Sequence, residues 1–277
     1  MSAPAADPRS AGTGASTTGT AGHRGRVMAV TSGKGGVGKT FMAANLAAAL
    51  TRRGERVLVL DADLGLANLD VVLNLHPKIT LHDVFTGRAT LKEATLKAPG
   101  GFSVLLAGSG LVEYSRLTPD LRERLLDVIH QVTPHYDRVL LDTGAGISDV
   151  VLYAVSLADD VLVIATPEPT SLTDAYATVK VLAGQQQREI FRLAVNQVSR
   201  KGEGRAVQQQ LQTVVDRFVR TGDGAAVKLD LLGEVPSDTA VREAVQRRKL
   251  LLEVQPGCPA ALGVLALAER LPKVVLR

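Results

Sequence analysis

Residues 31–40, TSGKGGVGKT, carry the densest chemistry in the chain, and Gly33 to Thr40 within them satisfy the pattern G-x-x-x-x-G-K-[ST] in full. Glycines let successive backbone N–H groups turn inward around phosphate oxygens, and the start of the following helix adds partial positive charge. The candidate cradle is Gly33, Lys34, Gly35, Gly36, Val37, Gly38, Lys39, Thr40 and Phe41. In it Lys39 should reach the β and γ phosphates of a nucleoside triphosphate, and Thr40 should set its hydroxyl on Mg2+. Asp61 and Asp63, in LDADLGLANLD, stand where a strand of a parallel sheet would end, the edge at which α/β proteins bind ligands.

These residues need a scaffold that brings strand ends together. From Arg26 onward, short β-branched runs alternate with amphipathic stretches, as in a parallel sheet with crossover helices. Strands are expected at 27–32, 56–63, 102–108, 138–144, 160–167, 191–198 and 229–236, mostly apolar through their centres as in strands covered on both faces. Helices are expected at 38–53, from Thr118 onward, and near 149–158, 171–185, 204–220, 238–247 and 259–270. The fold class is α/β: one three-layer domain, a mostly parallel sheet with helices on both faces, of the P-loop NTPase kind. Residues 1–25 are expected to form a disordered low-complexity tail, since 20 of the first 26 residues are Ala, Ser, Thr, Gly or Pro. Residues 26–277 form the domain.

Composition excludes several classes. A net charge of +4, half of it before residue 27, does not describe a nucleic-acid binder. No stretch reaches the ~20 apolar residues of a membrane-spanning helix, and the first residues lack a signal peptide's apolar run. A cytoplasmic location follows as an expectation. One cysteine, Cys258, permits neither a disulfide within the chain nor a cysteine-held iron–sulfur cluster built by one protomer.

Lys34, just after the first glycine, resembles the signature lysine of the deviant Walker A ATPases, the MinD/ParA group of the SIMIBI class. In that family the lysine reaches across a dimer interface to the partner's nucleotide, so the resemblance implies ATP-dependent homodimerisation. It also implies that Asp61 helps organise the magnesium shell and that Asp63 orients the attacking water. RVLLDTGAG looks like a Walker B segment in which Asp142 completes that shell, directly or through water. Gly144 and Gly146 would free the switch loop after it. Asn196 resembles the family's adenine reader, and Pro236 and Asp238 resemble the loop over the base. As a residue type, a strand-end asparagine also suits a turn.

Longer stretches narrow the likeness. DADLGLANLDVVLNLHPKITLHDVFTG, DTGAGISDVVLYAVSLADDVLVIATPEPTSLTDAYATVKVL and GEVPSDTAVREAVQRRKLLLEVQPGCPAA are similar to the flagellar number regulators of that family, the FlhG/FleN/YlxH group. The resemblance implies a slow regulatory ATP hydrolase, with ATP and Mg2+ as cofactors, that limits flagellar number or placement. The partners it implies are an FlhF-type GTPase, flagellar C-ring components or a flagellar transcription activator, and Asp174 aligns with a partner-facing aspartate. Alternatives within the family are a ParA-like DNA partition ATPase and a MinD-like septum-site ATPase. An anti-activator that acts by binding alone is the third.

Three departures stand out. No DQAxxLR-like segment precedes residue 27, Phe41 replaces a second hydroxyl residue, and Pro272 interrupts the C-terminal segment LALAERLPKVVLR. So short and broken a helix would give at most a weak peripheral contact with an anionic membrane.

Overall fold

The computed structural model describes residues 24–65, 68–108, 114 and 116–274. The expected tail up to residue 23 lies outside the described residues, as does the end of the chain from residue 275. Arg24 and Gly25, expected in that tail, are instead fastened to the body: Arg24 pairs with Asp159 at 2.6 Å, and the Gly25 N–H donates to the Thr133 carbonyl at 2.9 Å.

Eight strands form one sheet: β1 (Arg26–Ser32), β2 (Val57–Ala62), β3 (Thr95–Lys97), β4 (Ser103–Leu105), β5 (Arg138–Ala145), β6 (Asp160–Ala165), β7 (Ile190–Val198) and β8 (Lys228–Pro236). Their order is β3-β4-β2-β5-β1-β6-β7-β8, parallel throughout except for β3 against β4. All seven expected strands are present. The eighth, β3, is a three-residue antiparallel edge too short for a periodic signal. The strand expected over 102–108 keeps only three residues in the sheet. Beyond them the Leu106 carbonyl turns to accept from the Leu81 N–H at 2.8 Å.

Alternation along β1 divides the core. Val27 and Ala29 face one layer, with α5 (Pro119–Val132), α6 (Asp149–Ser156), α7 (Pro169–Gln186) and α8 (Glu203–Phe218). Met28 and Val30 face the other, with α1 (Lys39–Arg52), α9 (Thr239–Gln246) and α11 (Pro259–Arg270). The short helices α2 (Leu69–Leu73), α3 (Leu81–Phe85), α4 (Leu91–Ala94) and α10 (Leu251–Val254) carry too few turns for periodicity to show. Thr118 caps α5 by accepting from the Leu121 N–H at 3.1 Å, with Pro119 in the first turn. Cys258 likewise caps α11 through its sulfur.

Where β5 begins, at the amino ends of the parallel strands, Arg138 makes a buried pair with Glu55 at 3.0 Å and donates to the Pro272 carbonyl at 2.7 Å. Arg53 donates to the carbonyls of Ala268 and Leu271. These bonds clamp the chain after α11 beneath β2 and β5.

Candidate nucleotide site

Strand β1 is central, and the connection from it through α1 crosses β5 to reach β2, while β6 lies on its other side. Such a reversal opens a crevice at the carboxyl ends of the strands. Residues 33–38 sit in that crevice.

Two glycines there have no freedom to change. A Cβ at Gly33 would lie 2.1 Å from the Asp174 carbonyl oxygen, so the loop begins in backbone contact with α7. Gly38 has φ +96°, a left-handed conformation, and a Cβ there would meet Asn196 Nδ2 at 2.6 Å. Between them, a Cβ on Gly35 or Gly36 would find no protein atom within 4 Å: the loop surrounds open space. Gly38 caps α1 without a side-chain bond, and the helix's first turn holds no acidic residue. Its first N–H groups and positive dipole end are thus available to an anion.

Asp61 and Asp142 stand side by side on β2 and β5, in register and buried. One oxygen of each, Asp61 Oδ2 and Asp142 Oδ1, is buried without a hydrogen-bond partner. Burial raises the Asp61 carboxyl well above the ordinary range, and the neighbouring Asp142 charge adds to this. Burial likewise pushes Asp142 up to about 7, against a hydrogen bond from Thr40 and the attraction of Lys39. Lys39 is itself lowered by burial, while Asp142 and Asp63 hold it up. Asp63 lies just past β2; its N–H donates to Asp61 Oδ1 at 3.2 Å, and its own Oδ1 sits beside Gly144.

Two orphaned carboxylate oxygens next to a threonine hydroxyl suit a hard cation. Mg2+ keeps several waters and takes one or two carboxylates plus phosphate oxygens, so it needs no all-protein cage. Among the described residues, no group of three or more His, Cys, Asp and Glu forms such a cage. Thr40, Asp61 and Asp142 therefore fit a magnesium ion that arrives with phosphate.

The remaining expected residues occupy definite places. Lys34 is held in its own chain: Nζ lies 2.7 Å from Glu168 Oε2 and 3.0 Å from Thr170 Oγ1. With side chains 38% and 60% exposed, this pair contributes under about 1 kcal/mol and yields easily. Asn196, the expected adenine reader, donates from Nδ2 to the Val37 carbonyl at 2.8 Å. Asp238, expected in the loop over the base, turns both carboxylate oxygens to helix starts. Oδ1 accepts from Ala240 N at 2.9 Å and Oδ2 from Ala260 N at 3.2 Å, so the side chain shapes the loop that Pro236 begins. Those backbone bonds lower its pKa. Phe41 is buried in the α1 core. Asp174 lies behind Gly33, its side chain half-buried.

Glu168 and Thr170 had not been singled out. Their position just after β6, at a strand's carboxyl end, was the available signal. A cavity of about 880 Å³ opens elsewhere, among Glu55, Arg56, Leu96 and Tyr136, and none of its lining residues belongs to the phosphate loop.

Comparison with known proteins follows the same geometry. A family profile described as the CobQ/CobB/MinD/ParA nucleotide binding domain matches residues 28–252. The antiactivator FleN of Pseudomonas aeruginosa is 42% identical, over 90% of this chain and 86% of its own. The flagellum site-determining protein YlxH of Helicobacter pylori is 33% identical, over 83% and 76%. Among solved structures, the septum site-determining protein MinD of Pyrococcus horikoshii, complexed with Mg-ADP, superposes with a TM-score of 0.70. It is 27% identical and covers 88% of this chain and 94% of its own.

Proposed function

The chain belongs to the MinD/ParA nucleotide-binding family, and we propose that it is an ATP-switched dimerising ATPase controlling flagellar number or placement. The observation that carries the chemistry is the open loop around Gly35 and Gly36 beside the two orphaned oxygens of Asp61 and Asp142. Likeness to FleN and YlxH over most of the chain supports the flagellar role.

Lys39 and the first N–H groups of α1 bind the phosphates, and partial burial strengthens the lysine's attraction for them. Thr40, Asp61 and Asp142 hold Mg2+, which when bound neutralises phosphate charge. Asp63, beside Gly144 at the end of β5, orients water for attack on the γ-phosphate. Lys34 leaves Glu168 and Thr170 to reach the partner protomer's nucleotide. Slow hydrolysis resets the dimer. Asn196, Pro236 and the loop shaped by Asp238 cover the adenine.

The antiactivator name of FleN favours a flagellar transcription activator as partner; an FlhF-type GTPase and C-ring components are the others. Asp174 belongs to the partner-facing surface. No helix among the described residues is long and apolar enough to cross a membrane.

Flagellar counts per cell test this reading. Deleting the gene is expected to raise the count, and Asp63→Ala, which holds the ATP dimer, to lower it. Unchanged flagellation in both strains would remove the flagellar role and leave the ATPase chemistry standing.

A further inference from the structure

The second half of the phosphate loop needs something to hold it. Its first half is fixed by backbone contact of Gly33 with α7, by the Ser32 hydroxyl donating to the Lys34 carbonyl at 2.7 Å, and by the Gly146 N–H donating to the Ser32 carbonyl at 2.9 Å. A Cβ on Gly35 or Gly36 would meet no atom within 4 Å, so nothing packs against that side of the loop. Among the described residues, Asn196 supplies the side-chain hydrogen bond to the stretch from Gly35 to Gly38, at the Val37 carbonyl.

Local structure explains how a residue 159 positions away reaches that carbonyl. Alternation along β7 sends Phe191, Leu193 and Val195 to the α5–α8 layer and Ala194 to the α1 layer. Asn196 shares the parity of Ala194, so it faces α1 at the end of its strand. Directly after it, Gln197 adopts φ +59°, and the register with β8 shifts between Asn196 and Val198. A bulge of this kind re-aims a side chain. A left-handed non-glycine backbone at a strand end persists only where its surroundings enforce it.

The contact also fixes the amide's orientation. Only the NH2 end can face a carbonyl oxygen, and the same group packs against Gly38, where a Cβ would stand 2.6 Å from it. Gly38 is both the cap of α1 and the residue before Lys39. Its peptide therefore sets the direction in which the helix's first N–H groups and the lysine leave the loop.

We propose that Asn196 is a positioning residue of the phosphate loop: by holding the Val37–Gly38 peptide it shapes the cradle for phosphate, independently of any contact with a base. This deepens the ATP-binding reading and rests on it. It assigns to Asn196 a part in triphosphate affinity that an adenine reader alone would not have.

A base-free probe separates the two roles. Binding of Mg-tripolyphosphate and of Mg-ATP is measured by calorimetry for the wild type, Asn196→Asp and Asn196→Ala. Asn196→Asp keeps the shape and sets a carboxylate against the carbonyl, and Asn196→Ala removes the amide. Hydrogen exchange of the amides at 35–39 is followed without nucleotide.

Both variants are expected to bind tripolyphosphate at least about tenfold more weakly, to lose ATP affinity by a similar factor, and to exchange faster at 35–39. Unfolding midpoints of the nucleotide-free proteins show whether the isosteric variant stays folded, and the exchange comparison restricts the effect to the loop. Weakened ATP binding with tripolyphosphate affinity and exchange unchanged would overturn the proposal and leave Asn196 a base reader. Wild-type protein that binds neither ligand would overturn the ATP reading itself, and this inference with it.

Discussion

Residue by residue, the site joins groups that are costly to bury to the ligand that relieves the cost. Asp142 titrates at about 7 in the fold against an ordinary value of 3.8, so over that window the folded state keeps a proton that the unfolded chain releases. The Asp142 contribution therefore makes the nucleotide-free protein less stable as pH rises from about 4 to 7 and adds no slope above, and Asp61, also raised, acts in the same direction. Thermal unfolding in EDTA across that range is expected to show this slope, Asp142→Asn to lessen it, and the double variant with Asp61→Asn to flatten it. A wild-type melting point that rises with pH would contradict the burial of these charges. The motif residues were legible because a phosphate loop is local, with spacing and chemistry in one stretch. The acceptor of Asn196 and the donors to Asp238 were not. A short polar side chain takes whatever partner the tertiary fold offers, and Asp238 accepts from the starts of two helices.

At the scale of elements, the loop is a joint between β1, α1 and α7, and its glycines divide the labour. Gly33→Ala would drive a methyl into the α7 backbone and is expected to cost about 1–3 kcal/mol of stability as well as nucleotide binding. Gly35→Ala meets open space, so it should leave stability nearly unchanged while weakening nucleotide binding by filling the cradle. Urea unfolding together with nucleotide titration reads both; equal destabilisation by the two changes would contradict the division. Central strands were readable because they are apolar throughout, as burial on both faces requires. Strand β3 and the short helices escaped because three to five residues complete too little of a period, and their form is set by neighbours.

Across the whole molecule, the nucleotide end of the sheet, where the parallel strands finish, and the end where they begin are built differently. One leaves polar groups unsatisfied for a ligand. The other satisfies the buried Arg138 with Glu55 and the Pro272 carbonyl, fastening the segment after α11 to the sheet, with Glu55 Oε1 left without a hydrogen bond beside Arg53. Glu55→Ala strands that arginine and is expected to cost about 3–5 kcal/mol by chemical denaturation, with nucleotide affinity of the folded fraction unchanged. Lys34, which rests on Glu168 within its own chain, is the residue we propose reaches the partner protomer's nucleotide. Sedimentation of wild type, Lys34→Ala and Asp63→Ala with Mg-ATP tests that claim most directly. Asp63→Ala should sediment as a dimer with ATP and a monomer without it, and Lys34→Ala as a monomer in both; an Asp63→Ala protein that stays monomeric with ATP bound would contradict the ATP-switched dimer.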